Sequence, residues 1–307
     1  FFLPRGKVIV TTKGKTKQAS NTYKTLREPL DLDIPITVLV NGGTASASEI
    51  LSGAFQDFDR AVIVGSRTFG KGLVQTTRPL PYGGVMKLTT SKYYIPSGRC
   101  VQAIDYKHRN EDGSVGIIPD SLTTVFHTAA GREVRDGGGV MPDIEVKQEK
   151  LPNILFYLVR DNLIFDYATQ YCLKHPSIPS PQEFKVTDAD YNDFKAMVKE
   201  ADFKYDQQSE KIMKTLKEAA KFEGYLDEAS EEIKALEKKL THNLDRDLDY
   251  FSKDIKSMIA DEIIKRYYYT RGGIIQQLKD DDGLQAALKI LADPVKYKET
   301  LSAPVKK

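Results

Sequence analysis

The stretch Asn41-Gly42-Gly43-Thr44-Ala45-Ser46-Ala47-Ser48-Glu49-Ile50 decides the fold, because its turn joins two different periodicities. Before it, residues 34–40 form a β-rich apolar run that closes on Asn41-Gly42-Gly43, a strong turn signal. After it, residues 46 to about 57 have helical spacing, with Ile50, Leu51, Ala54 and Phe55 on one face. Residues 61–64 follow as a buried-type strand ending at Gly65. Residues 34–64 are therefore expected to form a strand–helix–strand unit, with parallel strands and a covering helix.

Outward from this unit, residues 7–12, 73–77 and 85–95 read as strands, the last two separated by Pro79, Pro81, Gly83 and Gly84. Residues 103–138 are irregular and polar, with a short strand at 122–127 and a turn at Gly137-Gly138-Gly139. From Ile154 the pattern turns helical. A first helix is expected to run to about Leu173, where Pro176, Pro179 and Pro181 break it. Thr187-Asp188-Ala189-Asp190 resembles a capping box with Asp in place of the usual Glu or Gln. Apolar residues from Ile233 to Ile263 recur at 3–4 spacing, which predicts one helix of several turns in an ordinary bundle.

Composition agrees with two architectures. Of 21 glycines, only Gly224, Gly272, Gly273 and Gly283 lie beyond residue 150, whereas charged residues are more frequent there. Glycine suits tight turns and strand ends; charge-rich, glycine-poor sequence suits solvent-facing helices. The expected fold class is a mixed α/β core over residues 1–150 followed by an all-α region over 151–307. With 45 Lys+Arg against 43 Asp+Glu, the net charge of +2 argues against a general nucleic-acid binder. No apolar run reaches the ~18 residues of a membrane span. Cys100 and Cys172 are too few for a disulfide framework or a Cys-rich metal site. The opening Phe1-Phe2-Leu3-Pro4 is an unusual exposed terminus and reads as the interior of a fold, so the core is expected to be truncated at its N-terminus.

Two segments carry chemistry. The serines at 46 and 48 stand at the start of a helix, where free N–H groups and the helix dipole favour negative charge. An acyl-transfer nucleophile needs that environment; a helix cap with Glu49 needs the same residues. Residues 65–72, Gly-Ser-Arg-Thr-Phe-Gly-Lys-Gly, nearly fit a phosphate-binding loop, but Gly72 replaces the hydroxyl residue and the following residues are β-type rather than helical. A lysine between two glycines also suits a cramped site, and a buried Lys71 with a lowered pKa could act as general base for a serine. His108, His127, His175 and His242 have no obvious partner, so a Ser-His-Asp arrangement is weak.

The blocks Asn-Gly-Gly-Thr-Ala-Ser-Ala-Ser-Glu-Ile (41–50), Ala-Val-Ile-Val-Gly (61–65) and Thr-Phe-Gly-Lys-Gly-Leu-Val-Gln (68–75) resemble the signature of the C-terminal processing, or tail-specific, serine proteases. Residues 92–99 and 139–143 are similar to the family's later strand and closing turn. The resemblance implies Ser46 as nucleophile, Lys71 as its general base, Gln75 as the residue orienting the lysine, and the Ala47 N–H as an oxyanion donor. It implies polypeptide substrates, no cofactor and no metal, and an exported, periplasmic or envelope location. The family's PDZ-like domain and second oxyanion donor would lie upstream of Phe1, so residues 1–307 alone are expected to be inactive or poorly active. About 40 residues, 100–138, are additional to the family core. The alternative from another class is a non-catalytic scaffold that retains the fold and binds proteins through its helices. Oligomeric state is not legible.

Overall fold

The computed structural model describes residues 1–109, 115–147, 151–241 and 243–303. The chain divides into two compact units: Phe1–Gln148 with Asp281–Lys307, and Glu149–Asp280.

In the first unit the chain runs through β1 (Val8–Gly14), β2 (Asn21–Lys24), β3 (Thr37–Val40), α1 (Ala47–Asp57), β4 (Val62–Gly65), β5 (Leu73–Pro79) and β6 (Val85–Tyr94). It continues through β7 (Ile104–Arg109), β8 (Val115–Ile117), β9 (Val125–His127), β10 (Glu133–Arg135) and β11 (Ile144–Glu145). Strands β3 and β4 are parallel neighbours with α1 as their crossover, as the pattern of residues 34–64 requires, and β11 extends this sheet in the order β11-β4-β3. A second, antiparallel sheet has the order β2-β1-β6-β5. The segment read as irregular contains two hairpins, β7–β8 and β9–β10.

The helix α1 departs from its expected apolar face. Leu51 is 54% exposed, and the buried side carries Glu49, Ser52, Gln56 and Asp57 beside Ala54. The reason lies at its carboxyl end, where the buried pair Asp57–Arg99 (2.9 Å) is flanked by a bond from Arg99 to Gln56 Oε1 (2.7 Å). Gln56 Nε2 in turn donates to the Met141 carbonyl and to Asp143, and Asp143 accepts from Arg132 and from the Ile63 N–H. Periodicity counts apolar residues and cannot register a face buried through paired polar groups. Burial pushes the Asp57 carboxyl up and the Arg99 guanidinium down, and their mutual attraction opposes both.

The helical unit contains α2 (Asn153–Arg160), α3 (Leu163–Lys174), α4 (Asp188–Glu200), α5 (Gln208–Glu223), α6 (Ser230–Leu240), α7 (Leu244–Tyr250) and α8 (Ser252–Gln277). The expected single helix of 154–173 is two helices, because Asn162 adopts a left-handed conformation (φ 60°) between them. The expected helix of 233–263 is three: Asn243 accepts the Arg246 N–H at 3.0 Å and starts α7 afresh, and Phe251 separates α7 from α8. The Thr187–Asp190 box forms in both directions, with bonds of 3.1 and 2.9 Å.

Two last helices, α9 (Asp282–Leu291) and α10 (Pro294–Thr300), are part of the first unit rather than of the all-α region expected over 151–307. Ala287 and Ile290 of α9 join Val62 and Val64 in one apolar cluster, and the Tyr297 hydroxyl accepts the Ile36 N–H at 2.9 Å. The apolar face of the parallel sheet needs a cover, and sequence order does not reveal which segment supplies it.

Candidate active site

The turn between β3 and α1 delivers Ser46 at the amino end of the helix. Its backbone has φ 58° and ψ −116°, a conformation that residues other than glycine rarely adopt. Such strain persists only where surrounding bonds enforce it. Here Thr44 N–H donates to the Asn41 carbonyl (2.9 Å), and Ser46 N–H donates to Glu49 Oε2 (3.0 Å). Ser46 is half-buried, while Ser48 is exposed. Ala47 is the first helical residue, where an N–H has no intrahelical acceptor.

The lysine loop meets this turn through a single buried carboxylate. Glu49 is fully buried; its Oε1 accepts from the Thr68 hydroxyl (2.6 Å) and Gly70 N–H (2.7 Å), and its Oε2 from the N–H groups of Lys71 (2.8 Å) and Ser46. Four donors compensate the buried charge, so one side chain fixes the relative placement of two loops. Phe69 N–H adds a bond to the Thr44 carbonyl at 2.9 Å.

The glycines beside Lys71 serve docking rather than room around the amine. A Cβ at Gly70 (φ 83°) would lie 2.2 Å from Ala103 Cβ, and one at Gly72 would lie 2.7 Å from the Gln102 nitrogen. Gly72 N–H donates to Gln102 Oε1 at 2.8 Å, and Ala103 N–H to the Gly70 carbonyl at 2.9 Å. The loop therefore lies against residues 101–103, and the Lys71 side chain is exposed, not cramped as expected. The strand β5 begins at Leu73, directly after Gly72, so the loop lacks the helix N-terminus that a phosphate-binding loop presents.

Ser46, Ala47, Lys71 and Gln75 all line one cleft of about 380 Å³, with Ile50 and Tyr93 among its walls. None of the described histidines lines it: His108 pairs with Asp105 at 2.6 Å, His127 lies in β9, and His175 stacks on Tyr171. His242 lies outside the described residues. Among the described residues no three His, Cys, Asp or Glu side chains gather as a metal site, and both cysteines are free.

Two contributors escaped sequence reasoning. Glu49 carried a capping signal, but nothing in the sequence indicates that residues 68–71 return to its carboxylate. Tyr93, 2% exposed, donates to the Lys71 carbonyl and lies 3.3 Å from the Ser46 carbonyl. Its sequence signals are strand alternation, which sets it on the same face as Ile95, and its place in the block 92–99, neither of which assigns its hydroxyl a partner.

Comparison with known proteins bears on this geometry. Residues 1–123 match peptidase family S41, and residues 154–291 match a family described as the C-terminal helical domain of a probable PDZ-protease. The chain is 48% identical over 119 residues to a carboxy-terminal-processing protease of Bartonella bacilliformis, covering 39% of this chain and 25% of that protein. It is 39% identical over 129 residues to a probable CtpA-like serine protease of Staphylococcus aureus, covering 40% of this chain and 26% of that one. A solved photosystem II D1 C-terminal processing protease is similar at 30% identity and a TM-score of 0.34, over 52% of this chain and 32% of that one. The chain spans about a quarter of the length of the curated relatives it matches. The S41 match runs through the serine turn, the lysine loop and the strands that carry them, so over residues 1–123 the chain is similar to peptidase family S41.

Proposed function

We propose that residues 1–150 supply the catalytic core of a serine endopeptidase that cleaves unstructured or C-terminal segments of proteins through a Ser46–Lys71 dyad. The observation that carries it is the convergence of a backbone-strained Ser46 at a helix N-terminus with Lys71 and Gln75 in one cleft. Ser46 Oγ attacks the scissile carbonyl carbon while the neutral Lys71 amine takes the hydroxyl proton. The Ala47 N–H stabilises the oxyanion. Collapse of the tetrahedral species breaks the C–N bond, and Lys71 returns its proton to the leaving amine. A water then attacks the acyl-enzyme with Lys71 as base, and the released Ser46 oxygen regains the proton. Gln75, two strand positions past Leu73, orients the lysine. No metal or cofactor takes part in these steps, and chelators should leave the rate unchanged. The similarity to this family favours an exported enzyme working in the bacterial envelope.

The test compares full-length wild-type protein with Ser46→Ala and Lys71→Ala on an unstructured polypeptide. Both substitutions should lower kcat by ~10⁴-fold or more, since dyad members act as a unit. Undiminished cleavage by either variant removes the mechanism. The exposed Lys71 also suits the alternative of a non-catalytic scaffold, which predicts no cleavage by the wild type and polypeptide binding that both substitutions leave intact.

A further inference from the structure

Ser46 and Lys71 are 25 positions apart, yet their N–H groups share one carboxylate and their carbonyls approach one hydroxyl, the Ser46 carbonyl also accepting the Glu49 and Ile50 N–H groups at 2.9 and 3.0 Å. Their N–H groups donate to Glu49 Oε2, at 3.0 and 2.8 Å. Their carbonyls flank the Tyr93 hydroxyl, which donates to Lys71 and has Ser46 within 3.3 Å. A phenol has a single proton, so this hydroxyl stands between two acceptors and spaces them.

The platform behind Tyr93 is rigid. It lies on β6, an inner strand paired to β1 through Thr11↔Tyr94 and to β5 through Leu73↔Lys92. Its ring packs in a cluster with Val10, Ile95, Val101 and Val140. Burial, reinforced by the Glu49 carboxylate, pushes the phenol well above its ordinary value, so the group remains a donor across physiological pH. The Lys71 side chain, by contrast, is exposed, so the location of its amine depends on the backbone that carries it as well as on Gln75. A misplacement of ~1 Å can cost ~10²-fold in rate.

We infer that Tyr93 is a positioning residue, whose hydroxyl holds the Lys71 backbone against the Ser46 carbonyl and so keeps the amine at the serine during turnover. This rests on the Ser46–Lys71 dyad proposed above. Glu49 and Tyr93 have complementary roles, in which the carboxylate gathers the donors of the two loops and the phenol gathers their acceptors.

The decisive experiment is Tyr93→Phe in the full-length protein, which removes one oxygen and keeps the ring. Wild type, Ser46→Ala, Lys71→Ala and Tyr94→Phe are assayed beside it on the same unstructured polypeptide, with folded protein quantified by thermal unfolding. Tyr93→Phe should lower kcat by ~10- to 100-fold with KM changed by less than ~2-fold. Tyr94→Phe should keep the wild-type rate. Wild-type kcat in Tyr93→Phe overturns the inference. A fall in kcat matched by an equal loss of folded protein overturns it equally. Full cleavage by Ser46→Ala or Lys71→Ala strikes the dyad itself, so the two failures are distinguishable.

Discussion

From Ile154 to Ile264 the helical unit buries one continuous apolar cluster, whereas the unit carrying the cleft divides its apolar residues into two small clusters and buries Glu49, Gln56, Asp57 and Arg99 as well. Apolar burial is non-directional: it rewards area and leaves many side-chain arrangements nearly equivalent. Paired polar groups are directional, and each one lost leaves a buried partner unsatisfied. The first kind of interior suits a unit whose helices need only pack. The second suits a unit in which two loops and a helix must meet in one arrangement. In this molecule α1 is held at both ends by such groups, Glu49 at the serine turn and Asp57–Arg99 at the far end.

Substitutions that act differently on the two interiors sharpen this contrast. The largest effect on stability is expected from Arg99→Met, which leaves Asp57 buried without its cation and should destabilise by ~3–5 kcal/mol. Amide hydrogen exchange of α1 in urea would measure it, and adding Asp57→Leu should recover most of the loss. Its pH dependence has a definite sign. Burial already raises the Asp57 carboxyl above the usual carboxylate range, so the protonated form favours the fold. The deficit of Arg99→Met is therefore smallest in acid and grows as pH rises through the folded-state value; a deficit that shrinks with rising pH would contradict the ion-pair account. An intermediate effect belongs to Ile259→Val in the helical cluster, where lost volume alone should cost ~0.5–1.5 kcal/mol, read from exchange of α8 amides. A cost several times larger would mean that the helical interior is as intolerant as the polar one. The smallest effect is expected at the exposed pair Arg67–Asp120. The Arg67 guanidinium holds the Asp120 carboxyl below its ordinary value, so whatever stability the pair contributes is present at neutral pH and is lost as pH falls through that lowered value. Thermal unfolding of Asp120→Asn should thus differ slightly from wild type at pH 7 and converge with it in acid.

Much of the first unit was legible. The run of residues 34–64 announces β3, α1 and β4 because a turn signal separates period 2 from period 3.6, and both periods follow from local backbone geometry. The Thr187–Asp190 cap was legible for the same reason, since its partners are three residues apart. The long helices were overread. Apolar spacing persists through Asn162 and Asn243, yet Asn162 separates α2 from α3, and Asn243 starts α7 after α6 has ended at Leu240. At the cleft, Ser46, Ala47, Lys71 and Gln75 line a common wall, but the expected burial of Lys71 is absent. The flanking glycines are explained by their approach to Gln102 and Ala103, a contact across about 30 residues that no local pattern encodes.

The sequence by itself determined where strands and turns alternate around the cleft, because that depends on neighbours within a few residues, while Ser46, Lys71 and Gln75 stand out in it through their resemblance to a family motif. Only the tertiary structure decided what joins them. Glu49 is a helix-capping residue in the sequence and the shared acceptor of two loops in the fold, and Tyr93 is one tyrosine of a strand until its hydroxyl meets the carbonyls of both. A buried charge and a buried phenol must find partners wherever the chain brings donors and acceptors to them, and apart from the Ser46 N–H, three residues from Glu49, those partners lie 19 to 47 residues away.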